Sequence, residues 1–180
     1  MEMLEEVLAF WFKEIEPKQW WMVDPSFDET VKQRFLYLLH QASAGELFSW
    51  RGTARGRLAE VIVLDQFSRN IHRNTPQAFA RDAMALALSQ EAVSAGALSG
   101  LDAMERTFLL MPYMHSESQV VHVQAEALFR EFAPADNYEF ELRHKDIIDR
   151  FGRYPHRNAI LGRTSTEEEL EFLKQPGSGF

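Results

Sequence analysis

A chain of 180 residues with 46% hydrophobic and 26% charged side chains can bury one substantial core and has the make-up of an ordinary folded domain. Its net charge of −8 and pI near 5.3 argue against broad electrostatic wrapping of nucleic acid, and the lack of cysteine excludes disulfides, thiolate zinc sites and cysteine nucleophiles. The acidic start Met1-Glu2-Met3-Leu4-Glu5-Glu6 is unlike a secretory signal, and Val61-Ile62-Val63-Leu64 is far too short to span a membrane, so a single cytoplasmic domain over 1–180 is expected.

Leu4, Val7, Leu8, Phe10, Trp11, Phe12 and Ile15 predict a short, mostly buried helix over 3–14, ended by Pro17. Trp20-Trp21 then fall in a loop. Together with Trp11 they read as a core anchor, or alternatively as an aromatic wall for a ligand. Asp24-Pro25-Ser26 offers a cap and a first-turn proline for a helix of about 26–44. Its stripe is Phe27, Val31, Phe35, Leu38, Leu39 and Ala42, and Gly45 stands where a left-handed cap belongs. After a connector ending in the potential cap Thr53, a helix over 54–71 is apolar all round (Leu58, Val61, Ile62, Val63, Leu64, Phe67, Ile71), the mark of a central helix. Its tail carries Asp65 and Arg69, and Gln66 and Asn70, each pair four apart on one face. A buried Asp65 needs a partner: Arg69 within the helix, or a ligand. His72 and Arg73 read as a solvated loop.

Thr75-Pro76 predicts the start of a helix over 76–95, with Phe79, Ala83, Leu86, Ala87, Gln90 and Val93 as its packed stripe. Asp102 with Glu105, or Ser99 with Asp102, caps a helix over 101–111, which Met111-Pro112 is expected to break. Ser116 with Gln119 reads as a capping box for a helix over 116–132. Glu117 then sits in the first turn, and His115 just ahead of it is a structural hydrogen-bonder or an acid–base group. A helix over 136–151 places Phe140, His144, Ile147, Ile148 and Phe151 on one face, making His144 a core histidine or a pocket base, and Gly152 stops it. Residues 154–162 read as irregular. Thr166 with Glu169, or Ser165 with Glu168, opens a last helix that ends before Pro176. No strand pattern appears, so the fold class is all-α, about eight helices in antiparallel succession.

Charge is unevenly distributed. Arg143 to Arg163 holds six Arg/Lys against two Asp, a local +4 that leaves −12 for the remainder. The strings LAFWF (8–12), RGRLAEVIVLDQFSRN (55–70), ERTFLLMPYMHSE (105–117), HKDIIDRFGRYPHRNAILGRTST (144–166) and the final PGSGF resemble the bacterial domain-of-unknown-function family numbered 924, in order and across essentially the whole chain. The resemblance implies a tetratricopeptide-like α-α superhelix and no particular activity. It directs attention to polar positions that include Asp65, Gln66, Arg69, Asn70, His115, Glu117, His144, Arg153, His156, Arg157, Asn158 and Arg163. Ala54, where the family often has proline, departs from the pattern at a helix start.

Three functions follow. Arg69, Asn70, Arg153, His156, Arg157, Asn158 and Arg163 suit binding of a small phosphate- or carboxylate-bearing ligand, because guanidinium forks donate paired hydrogen bonds; the alternative is that these arginines pin the C-terminal segment to the chain's own carboxylates. His115 or His144 as general base, oriented by Asp65 or Glu117, suits a hydrolase, with turnover of the bound ligand. A tetratricopeptide-like groove suits a protein partner. No metal site is expected, because His144/Asp146 and His115/Glu117, two apart, point to different sides of a helix. No cofactor is indicated by the residues.

Overall fold

The computed structural model describes residues 2–180, and the regular elements among them are all helical. α1 (Glu2–Ala9) runs into a wider π-helical turn, Phe10–Glu14, that buries Phe10 and Trp11. α2 (Pro25–Ser43) is capped by Asp24, which accepts from the Ser26 and Phe27 amides, and is followed by Gly45 at φ 75°. α3 (Ala54–Ile62) starts on Thr53, which accepts from the Gly56 amide, and continues through a second π turn, Val63–Phe67, into α4 (Ser68–Ile71).

After this central rod come α5 (Asp82–Ser94), α6 (Ala103–His115), α7 (Gln119–Phe132), α8 (Ala135–Phe151), the single turn α9 (Asn158–Leu161) and α10 (Glu167–Leu173). Two capping boxes are local and form as expected: Asp102 with Glu105, and Thr166 with Glu169.

The α3–α4 rod is the innermost element because it has no face to give to water: Leu58, Ala59, Val61, Ile62, Val63, Leu64 and Phe67 are all fully buried. Phe67 stacks on Phe35 of α2 at 4.6 Å, and Trp11 meets Phe108 of α6 edge-on at 5.5 Å, so α1, α2 and α6 close around the rod through aromatic contacts. α6 also packs against α5 and α7, and α7 against α8. Of the three indoles expected to anchor the core, Trp11 does so and Trp20 donates its indole N–H to the Trp11 carbonyl at 2.9 Å. Trp21 is 55% exposed.

Gly56 is held by close packing. A Cβ there would lie 1.9 Å from the Trp50 carbonyl oxygen, an immovable backbone atom. Helix propensity alone would make Gly56→Ala stabilising by about 0.5–1 kcal/mol; the clash is expected to outweigh this and destabilise the protein by about 1–3 kcal/mol in urea denaturation. A gain in stability would show that the 51–56 turn relaxes freely.

Several local expectations are corrected. Pro112 does not break its helix: α6 continues to His115, with Phe108, Leu109, Leu110, Met111, Tyr113 and Met114 all buried, and the Ser89 hydroxyl donating to the Leu109 carbonyl from outside the helix. Tertiary burial thus overrides a breaker worth about 3 kcal/mol. His115 is therefore the last residue of α6 and not the lead-in to α7, whose cap is Ser118 in place of Ser116. Glu117 lies in the linker, outside any helical first turn.

The expected 76–95 helix is split into a 3₁₀ turn, Pro76–Ala78, and α5, so the buried face of α5 is Ala85, Ser89 and Ala92. Thr75 does not cap: its hydroxyl donates to the His72 carbonyl. Phe140 is 50% exposed; Glu141, buried, takes its place on the inner face of α8. Arg73 is no solvated loop residue, since it forms a two-point ion pair with Asp28.

Candidate functional site

The π turn Val63–Phe67 interrupts the regular hydrogen bonding of the central rod where its polar residues begin, and such turns are frequent at functional sites. It sets Asp65 fully inside the protein. Three side chains from two elements converge on that carboxylate. His115 donates Nδ1–H to Oδ1 at 2.7 Å, Gln66 donates to Oδ2 at 2.8 Å, and Arg69 approaches Oδ1 at 3.3 Å. Burial alone would push the Asp65 carboxyl upward; His115 and Arg69 outweigh it and hold it well below the usual carboxylate range. The expected Asp65–Arg69 pair is thus present, and His115, 50 residues away in sequence, completes it.

Arg69 reaches further. Its guanidinium grips Asp82, the first residue of α5, through two bonds of 2.8 and 3.0 Å. Asp82 also faces Arg157 at 3.6 Å, so one carboxylate is shared by two guanidiniums. Arg157 comes from the basic C-terminal segment and is almost wholly buried, its guanidinium stacked between the rings of Phe79 at 4.6 Å and Tyr154 at 4.7 Å. It donates to the His115 carbonyl at 3.0 Å, while its Nε is buried without a partner among the described residues. Burial and the neighbouring Arg69 charge lower the Arg157 pKa.

Beside this chain of charges lies a cavity of about 420 Å³. Its apolar lining includes Phe79, Ala83, Leu86, Pro112 and Leu161, and its polar lining Asp82, His115, Ser116, Glu117 and Arg157. Phe79, Ala83 and Leu86 belong to the stripe that periodicity assigned to helix packing, and here they form the cavity wall. His115 spends Nδ1 on Asp65. Its Nε2 has no partner among the described residues and is not sealed in the interior, so it is left on the cavity side. Burial first, and then Arg69, lower the His115 pKa against the opposing pull of Asp65, so the ring is neutral at pH 7 with a lone pair on Nε2.

The structure brings together Asp65, Arg69, His115, Glu117 and Arg157 of the residues singled out from sequence. Glu117 accepts two bonds from Arg163 and one from the Tyr154 amide, which together outweigh burial and lower its pKa. Arg163 is thereby committed to Glu117, and its Nε donates to Asn158. Arg153 pairs with Glu169 at 2.9 Å, and Asn158 donates to the same carboxylate and to Ser165; these four residues tie the C-terminal segment together outside the cavity lining.

Asn70 donates to Asp28 at 2.8 Å, outside the cavity lining. His144 donates Nδ1–H to the Phe140 carbonyl at 2.6 Å and packs under Phe180, with ring centroids 3.8 Å apart. His156 lies against Phe180 and Tyr154, its buried Nδ1 without a partner among the described residues. Asp82 was missed. The expected 76–95 helix places it in mid-helix, outside the packed stripe, and no local pattern announces its two arginine partners.

Among the described residues no group of three or more His, Asp or Glu is arranged to hold a metal ion, and no helix is long and apolar enough to cross a membrane.

The family described as "Bacterial protein of unknown function (DUF924)" matches residues 7–177. A solved structure of a protein of unknown function, ATU0120 from Agrobacterium tumefaciens, is similar to this chain at 32% identity and a TM-score of 0.91, over 96% of this chain and 97% of that one. No curated protein matches.

Proposed function

This chain belongs to the DUF924 family of bacterial proteins, and we propose that it binds a small ligand, with an anionic group and an apolar body, in the cavity between α5, α6 and the C-terminal segment. The observation that carries this reading is the Asp65–His115 pair at 2.7 Å, presenting a neutral imidazole to the same cavity that Arg157 enters. A carboxylate behind Nδ1 fixes the tautomer and raises the basicity of Nε2, the arrangement a general base requires. Arg157 supplies the anion-binding half. It is buried, it shares its nearest carboxylate with Arg69, and that carboxylate is 3.6 Å away. An incoming carboxylate or phosphate would offset this incomplete pairing. Phe79, Leu86, Pro112 and Leu161 would take the apolar body.

Converging polar groups distinguish the cavity from a plain apolar groove for a peptide or helix. They favour a small ligand over a protein partner, with proton transfer at His115 as the route to turnover.

Calorimetric titration of small carboxylates and phosphate monoesters against the wild type and Arg157→Gln tests the reading. A binder is expected whose affinity falls at least ~10-fold in the variant, the loss of one charge-assisted hydrogen bond. No binder across the panel, or binding indifferent to Arg157, would overturn it.

A further inference from the structure

We propose, building on the anion-binding reading, that the ligand class is a zwitterion of amino-acid type: a carboxylate for Arg157, an ammonium for Asp82, Glu117 and His115, and an apolar side chain for the Phe79–Leu86 wall.

The charges around the cavity already balance. Around the cavity Arg69, Arg157 and Arg163 face Asp65, Asp82 and Glu117, and His115 is neutral, so the cluster already sums to zero. A simple anion would leave this partly buried cluster with an unbalanced negative charge, which a low-dielectric surrounding penalises. A zwitterion leaves the sum unchanged.

Hydrogen-bonding capacity is left over at the same carboxylates. Each carboxylate oxygen accepts about two hydrogen bonds. Asp82 Oδ1 and Oδ2 each take one bond from Arg69, and Glu117 Oε2 takes one from Arg163, so all three retain room for another donor. His115 Nε2 adds a fourth acceptor. On the donor side, among the described lining residues, are Arg157, with Nη1 3.6 Å from Asp82 and Nη2 given to the His115 carbonyl, and the single hydroxyl of Ser116, whose oxygen already accepts from the Ser118 amide.

Accessibility follows the same asymmetry: the Asp82 and Glu117 side chains are 20% and 26% exposed, against 5% for Arg157. The reachable polar side of the cavity is thus rich in acceptors, which an ammonium satisfies with three N–H groups and a bare anion cannot. His115 Nε2 receives one of those protons in a hydrogen bond.

A matched set of probes separates the two ligand charges: L-leucine, 4-methylpentanoate, which lacks only the amino group, and 3-methylbutylamine, which lacks only the carboxylate. In calorimetric titrations of the wild-type protein, leucine is expected to bind and each truncated probe to bind at least ~10-fold more weakly, since each leaves a set of charged partners unmet. Glu117→Gln, which leaves the cluster one positive charge in excess, is expected to weaken leucine and to strengthen 4-methylpentanoate.

Equal affinity of 4-methylpentanoate and leucine would overturn the zwitterion and leave the anion reading standing. Equal affinity of 3-methylbutylamine and leucine would overturn both. If none of the three probes binds, the amino-acid class is overturned, and the carboxylate and phosphate panel above judges the anion reading separately.

Discussion

Replacing Asp65 with alanine is expected to remove about 3–5 kcal/mol of folding stability, the loss typical when one member of a buried charged network is deleted. The carboxylate is wholly buried and is the acceptor for His115 Nδ1–H and the Gln66 amide, so its removal leaves two buried donors unmet. It also removes one of the two carboxylates that hold Arg69 inside the protein, leaving Asp82 alone against two guanidiniums. Asp65→Asn keeps the shape and one acceptor oxygen, and should cost less, about 1–3 kcal/mol. Urea denaturation of the two variants beside the wild type checks both values. An alanine variant within about 1 kcal/mol of the wild type would mean that the network contributes position and little stability.

Acid is expected to begin destabilising the protein above the range in which carboxylates titrate. His144 is held neutral by burial, its pKa pushed down to about 3 from 6.5. A histidine whose folded pKa is depressed binds its proton more readily in the unfolded chain. Its contribution to stability is therefore complete above pH 6.5 and is lost as the pH falls toward 3. At about 1.36 kcal/mol per pH unit, that window corresponds to a loss of about 4–5 kcal/mol. His156, lowered to about 4 by burial and by the Arg157 charge, adds a smaller loss over the same range.

His144→Asn retains a donor for the Phe140 carbonyl and removes the titrating ring. The slope of unfolding free energy against pH between 6.5 and 4 should fall by about 1.36 kcal/mol per unit in this variant. An unchanged slope would show that the His144 ring is already hydrated in the folded state.

Features set by neighbours a few residues apart were legible in the sequence. The Asp102–Glu105 and Thr166–Glu169 boxes, the Asp24 cap, the left-handed Gly45 and Gly152 and the all-apolar central rod are each written in a span of a few turns. So was the need of Asp65 for a partner, because burial of an unpaired carboxylate is prohibitive whatever the fold.

What failed depended on distance. Pro112 stays helical because the core on both sides of α6 stabilises the helix by more than the proline costs. Arg153, Asn158 and Arg163 read as ligand groups because Glu169 and Glu117, the carboxylates that claim them, carry no mark of that pairing in the sequence. The phase of α5 was lost at the irregular turn through residues 79–81, and with it the cavity wall. The basic C-terminal segment meets the polar end of the central rod through Arg157 and its shared carboxylate, Asp82.

Asp65 holds His115 as a neutral imidazole with its proton on Nδ1 and its lone pair on Nε2. Nitrogen-15 NMR of the histidine rings across a pH titration measures this directly. His115 is expected to be the Nδ1–H tautomer at pH 7, to titrate below the ordinary histidine range, and to lose that tautomer preference in Asp65→Asn. A His115 that is doubly protonated at pH 7, or that carries its proton on Nε2, would contradict it.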